Sequence, residues 1–258
     1  MKLLKTLRNK GLTFFGDIKV FPYPMFLLYD PGSYLIKGAE MREVMKLVNP
    51  GDILIRGFRS YLDGYFIPGF FSHAGVFIGE VSLDKAQKYN PDIRPESVQP
   101  GEQMVVHAMA KGVFMEDFLN FCRCDYLVVL RRNPSIESGG GDNLTNDEVF
   151  SSAINFIDRP YDFGFNFSDI EALSCTELVY ACYKKVLEEY GVTIKSRQVL
   201  FLKKQMIIPD DFVTSVFDLV WKSPSVRYSK LAEIQKKNET SMTRFVTSCP
   251  DHSGKDHV

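Results

Sequence analysis

The chain has 258 residues, 45% apolar and 24% charged, the balance of a soluble globular protein able to bury a core. Its 31 basic and 32 acidic residues leave a net charge of −1, without the basic excess of a nucleic-acid binder, so no nucleic-acid partner is expected. Five cysteines, an odd number in a chain of this length, do not read as a disulfide framework; they point to reduced thiols and a cytoplasmic location.

Residues 1–37 form an N-terminal extension rich in Phe, Tyr and Pro, expected to be irregular but packed. Arg8, Lys10, Asp17 and Lys19 interrupt every apolar stretch, so the terminus does not read as a secretory signal, and nothing approaches the roughly 20 apolar residues of a membrane span. Lys2, Lys5, Arg8 and Lys10 alternate with Leu3, Leu4, Leu7, Leu12, Phe14 and Phe15. That pattern suits peripheral membrane contact through residues 1–20, although a helix packed on its own domain is the simpler reading.

Met41, Val44, Met45 and Val48 fall on one helical face within residues 38–48, and Asn49-Pro50-Gly51-Asp52 turns the chain. Asp52–Arg56 reads as the first strand and Ser72–Val81 as the second. Ser82–Gly101 is polar and proline-bearing, the pattern of a surface loop. Gln103–Met109 and Tyr126–Arg131 supply two more strands, and strands joined directly to strands imply an antiparallel sheet. Gly139-Gly140-Gly141 marks a flexible joint. Thr145 with Glu148 opens a helix as a capping box, with Val149, Phe150, Ala153, Ile154 and Ile157 on its apolar face. A further helix runs from Cys175 to about Tyr190, and another starts at Asp210 or Asp211, carrying Phe212, Val216, Phe217 and Val220. Residues 233–258 read as a disordered tail. A block of strands followed by a block of helices is an α+β arrangement, an antiparallel sheet packed against helices.

The chemistry concentrates at Ser174-Cys175-Thr176-Glu177. Serine followed three positions later by glutamate, just before an apolar run, makes Ser174 an N-cap and Cys175 the first helical residue. A thiol there meets unpaired backbone N–H groups and the positive end of the helix dipole, which favour the nucleophilic thiolate and an oxyanion beside it. Cys182, two turns further along the same face, reads as an ordinary core thiol. A base is needed, and two of the four histidines, His252 and His257, lie in the tail. The others sit in strands. Period-two alternation puts His73, Gly75 and Phe77 on one face, and Val105, His107 and Met109 on one face of another strand. If those strands pair, the imidazoles converge, and a helix N-terminus packed there brings Cys175 to them. Taken singly, each histidine is more readily read as a satisfied core residue. Gly75 suits a close approach to its strand.

This order of motifs resembles the circularly permuted branch of the NlpC/P60 superfamily of papain-like cysteine hydrolases, in particular the YiiX/YebB-like group. The pieces are Gly51-Asp52 before a strand, SHAGVFIG around His73, and SCTELVY around Cys175, roughly 100 residues later. The resemblance runs from about Pro50 to Trp221 and implies a catalytic domain over 38–232 with a permuted papain-like NlpC/P60 fold. It makes Cys175 the nucleophile, His73 the base and Tyr161, in Arg159-Pro160-Tyr161-Asp162, a candidate neighbour of the oxyanion. The third polar member, often Glu in permuted relatives, is here His107. Pro209-Asp210-Asp211-Phe212 resembles a Pro-Asp segment downstream of the nucleophile.

The resemblance implies an enzyme without a cofactor that cleaves an amide, peptide-like bond through an acyl-enzyme on Cys175. Lipid or thioester acyl hydrolysis or transfer with the same residues is the alternative substrate chemistry. A third class is a binding module, either an inactive scaffold or a zinc site of Cys175, His73 and His107 completed by water. Cys122-x-Cys124 reads as structural.

Overall fold

The computed structural model describes residues 18–22, 25–29, 34–59, 67–133, 144–164, 167, 170–199 and 202–248. The basic N-terminal stretch to residue 17, the triple glycine and the two tail histidines lie outside them.

The core is a six-stranded antiparallel sheet. Its strands are β3 (Ile53–Gly57), β4 (His73–Glu80), β5 (Gln103–Met109), β6 (Gly112–Asp117), β7 (Tyr126–Arg132) and β10 (Phe217–Lys222), in the order β10-β7-β3-β4-β5-β6. Helices cover both faces, which is why β3 is buried along its whole length and β4 along all but its last residue. On one face, Ile53, Ile55, Ala74, Val76, Val106 and Val128 pack with the apolar sides of α4 (Asn146–Asn155) and α5 (Cys175–Glu189). On the other, Leu54, Phe77, Val105 and Val129 meet α1 (Gly38–Met45) and α3 (Phe118–Phe121). The α+β class with an antiparallel sheet is therefore as expected. At the turn into β3, Gly51 adopts φ +92°, open to glycine. Asp52 accepts the Asn49 N–H (2.8 Å) and pairs with Arg131, fixing the start of that strand.

Several local features differ from or add to the expectations, most of them because a partner distant in sequence decides the outcome. The stretch 82–101 contains α2 (Leu83–Tyr89), N-capped by Ser82 and buried through Ala86. After a turn at Ala110-Lys111 the chain enters β6 at Gly112, a strand absent from the sequence reading. The expected helix from Asp210 is a single 3-10 turn, Pro209–Phe212; the chain then enters β10, whose Phe217 and Trp221 are buried against the sheet. In the N-terminal extension, strand-forming runs pair as a hairpin, β1 (Ile18–Pro22) with β2 (Met25–Tyr29). A second hairpin pairs β8 (Lys195–Val199) with β9 (Leu202–Met206). The tail continues as α6 (Tyr228–Ser248), its buried side chains Leu231, Ile234 and Asn238 at helical spacing. No described helix is long and apolar enough to cross a membrane.

Candidate active site

Cys175 is the first residue of α5. Ser174 caps the helix: its Oγ accepts the Glu177 N–H, and Glu177 Oε2 accepts the Ser174 N–H at 2.6 Å. The thiol is 2% exposed. Its Sγ accepts backbone N–H groups from Thr176, in its own helix, and from Ala74 on β4. The nucleophile candidate thus touches the residue directly after His73.

The two strand histidines converge as the register requires. Gly75 lies opposite His107 in the β4–β5 ladder, and His73 Nε2 is 2.8 Å from His107 Nδ1. A Cβ on Gly75 would lie 3.0 Å from the Phe121 ring and 3.1 Å from the His107 Cβ, so the glycine admits the ring that packs on both imidazoles. One part of the expected arrangement differs. Strand alternation directs His73 and His107 towards the α3 face, whereas the body of α5 packs on the opposite face. Cys175 reaches the histidine strand at its end, through the Ala74 N–H, and no hydrogen bond joins thiol and imidazole in this structure; such bonds commonly tighten only when substrate binds.

Two further side chains complete the cluster. Glu116 on β6 brings Oε2 to 3.2 Å from His107 Nε2, along a bent approach, and Arg56 donates to the Phe121 carbonyl at 2.8 Å while lying 3.8 Å from Glu116. A carboxylate only accepts, so the contact favours the His107 proton on Nε2. His107 Nδ1 then accepts from His73 Nε2–H, which leaves His73 Nδ1 as the free base nitrogen. Reading 112–117 as a strand reveals Glu116, because Phe114 and Glu116 share the face that meets His107 and Val105.

The electrostatics depart from the thiolate expectation. Burial pushes the Cys175 thiol up to about 11, outweighing the two N–H contacts that draw it down. Burial, with Arg56 and then His107 beside it, also holds the His73 imidazole well below its ordinary range. Thiol and imidazole are therefore both neutral at rest.

Tyr161 is half-buried against the core, its ring 4.8 Å from Phe163, and the Pro160 carbonyl accepts the Leu173 N–H at 2.9 Å, tying this segment to the approach to Cys175. The zinc alternative fares poorly on geometry. Both nitrogens of His107 face other protein groups, and among the described residues no three His, Cys, Asp or Glu side chains are arranged to hold a metal ion. Cys122 and Cys124 are buried, and the Cys124 thiol donates to the Tyr126 carbonyl.

Glu177 gives a stability prediction. Burial raises its carboxyl to about 7 against the Ser174 hydrogen bonds, with Asp162 adding a like charge. The folded protein therefore keeps a proton that the unfolded chain releases near pH 4.5, and stability falls as pH rises from there to about 7. Melting curves across that window should flatten in Glu177→Gln; an unchanged slope would show that Glu177 does not titrate there.

A family model described as "permuted papain-like amidase enzyme, YaeF/YiiX, C92 family" matches residues 47–250. Among solved structures, the crystal structure of the metalloprotein YiiX from Escherichia coli O157:H7 is similar at 18% identity, covering 69% of this chain and 98% of that one, with a TM-score of 0.44. No curated protein matches the chain.

Proposed function

The chain belongs to the permuted papain-like amidase family, and from that membership we propose that it cleaves an amide, peptide-like bond through an acyl-enzyme on Cys175, with His73 as base. The kinship with NlpC/P60 hydrolases suggested by the order of its motifs is part of the same proposal. The observation that carries it is the contact of the Cys175 thiol with the backbone beside His73, whose other nitrogen is held by His107.

Because both groups are neutral at rest, attack and proton transfer are coupled. The S–H proton passes to His73 Nδ1 as sulfur bonds to the carbonyl carbon, and the carbonyl electrons move to oxygen. Backbone N–H groups at the start of α5 and the Tyr161 hydroxyl are the candidate donors to that oxygen. The intermediate then collapses, the C–N bond breaks, and the amine leaves with the proton from His73. Water, deprotonated by His73, adds to the thioester and releases the acid, returning the proton to sulfur.

Brief exposure to electrophilic acyl probes near neutral pH, followed by intact mass, tests the reading. We expect one adduct on Cys175, lost in His73→Ala and slowed in Tyr161→Phe, while Cys182 stays unmodified. Amide-like probes should label fastest. Faster labelling by thioester or acyl-lipid probes would move the substrate to that class, and no adduct on folded, reduced protein would sink the nucleophile.

A further inference from the structure

The segment before His73 is held by a side chain from far along the chain. Asp210, in the 3-10 turn, accepts the Phe70 N–H with Oδ2 and the Phe71 N–H with Oδ1, each at 2.8 Å. Gly69 adopts φ +141°, and a Cβ there would lie 3.1 Å from the carboxyl atoms, so glycine is what lets the carboxylate close on the backbone. The next residue, Ser72, donates its N–H to the Arg56 carbonyl at 3.1 Å, and His73 follows at once.

The turn is itself held from behind. Asn238 on α6, 5% exposed, donates Nδ2 to the Asp210 carbonyl at 2.8 Å and to the Val213 carbonyl at 3.0 Å. Asp211 accepts the Ile208 N–H and pairs with Arg197 and Lys195, so its carboxylate faces away to hold the hairpin β8–β9. The two neighbouring aspartates divide the work, one reaching the histidine strand and the other the hairpin.

We propose that Asp210, locked by Asn238, is a positioning residue that sets where β4 starts and so fixes the His73 imidazole at the end of the strand that Cys175 reaches. Two backbone hydrogen bonds to one carboxylate fix the peptide planes of consecutive residues, and only Ser72 separates them from His73. A base displaced by about 1 Å costs up to about 100-fold in rate. This role rests on the function proposed above, but the orientation of His73 can be read without turnover.

Asp210→Asn keeps one acceptor and sets an NH2 against the other N–H, whereas Asn238→Ala loosens the turn without touching Phe70 or Phe71. Each is measured for melting temperature, for kcat and KM on the amide substrate, and for the 15N and 1H resonances of the His73 ring. We expect Asp210→Asn to lower kcat about 10- to 100-fold with KM changed less than about threefold, and to shift the His73 ring resonances. Asn238→Ala should move both in the same direction by less. His73 resonances identical to the parent in folded Asp210→Asn would overturn the positioning role, as would an unchanged kcat with only a lower melting temperature. Shifted resonances in a protein whose Cys175→Ala variant is still active would leave the positioning intact and sink the proposed chemistry instead.

Discussion

Replacing Cys175 with alanine should lower turnover by about 10⁴-fold or more while the protein still folds. Sγ is the atom proposed to bond the substrate carbon, and no neighbouring group replaces it: Cys182 lies two turns along the helix in the core cluster, its thiol raised by burial. The fold should survive because the capping box of Ser174 and Glu177 and the apolar side of α5 do not involve the sulfur. Some cost remains, since the Ala74 N–H loses its acceptor in a buried site, about 1–3 kcal/mol. Cys175→Ser separates the two effects. Its hydroxyl can still accept from Ala74, so stability should recover towards the parent while turnover does not, an alkoxide being far harder to form than a thiolate. Turnover per folded molecule, with melting curves on all three proteins, makes the comparison. Retained activity in Cys175→Ala would end the nucleophile assignment, and equal melting temperatures in the alanine and serine variants would remove the Ala74 contact from the account.

How much of this was legible beforehand follows the range of the interactions. The starts of α4 and α5 are written in contiguous residues, Thr145 to Glu148 and Ser174 to Glu177, and both capping boxes form. The meeting of His73 and His107 needed only strand periodicity and pairing of the two strands. What failed was decided by partners distant in sequence. Gly112–Asp117 lacks a clean alternation, its Gly112 and Val113 being buried against the segment from Asp158 to Arg159, so β6 was not read as a strand and Glu116 was missed. Phe212, Val216 and Phe217 sit at helical intervals, yet β7 offers β10 an edge to pair with. The helix α6 was hidden because, over residues 228–240, its buried side is marked by Leu231, Ile234 and Asn238 among many polar residues. Charge followed the same rule. A helix N-terminus can be read from sequence, but the burial that carries the Cys175 thiol up to about 11 is a property of the assembled protein.

Substitution of the two histidines should separate a base from the group that holds it. His73→Ala removes the proton acceptor and should cost about 10²- to 10⁴-fold in kcat/KM. His107→Ala leaves that acceptor in place, so its loss should be smaller, but of a different kind. With His107 gone, His73 Nε2–H has no partner, and the tautomer with the proton on Nδ1, unable to take one from sulfur, becomes accessible. The pH profile carries the signature. His73 must be neutral to act, so kcat/KM falls as pH drops through its pKa. Burial, Arg56 and His107 all depress that pKa, which puts the acid limb of the parent enzyme below the usual histidine range. Removing His107 takes away one depressing neighbour and opens the site to water, so the limb should move to higher pH, while Arg56 still pulls against it. The measurement is kcat/KM from about pH 4 to 8 for the parent and His107→Ala, with the His73 titration followed by NMR in both. An acid limb that stays in place in His107→Ala while activity drops as far as in His73→Ala would mean that His107 does not merely hold its neighbour, and the direction of the proton relay from Cys175 through His73 would have to be redrawn.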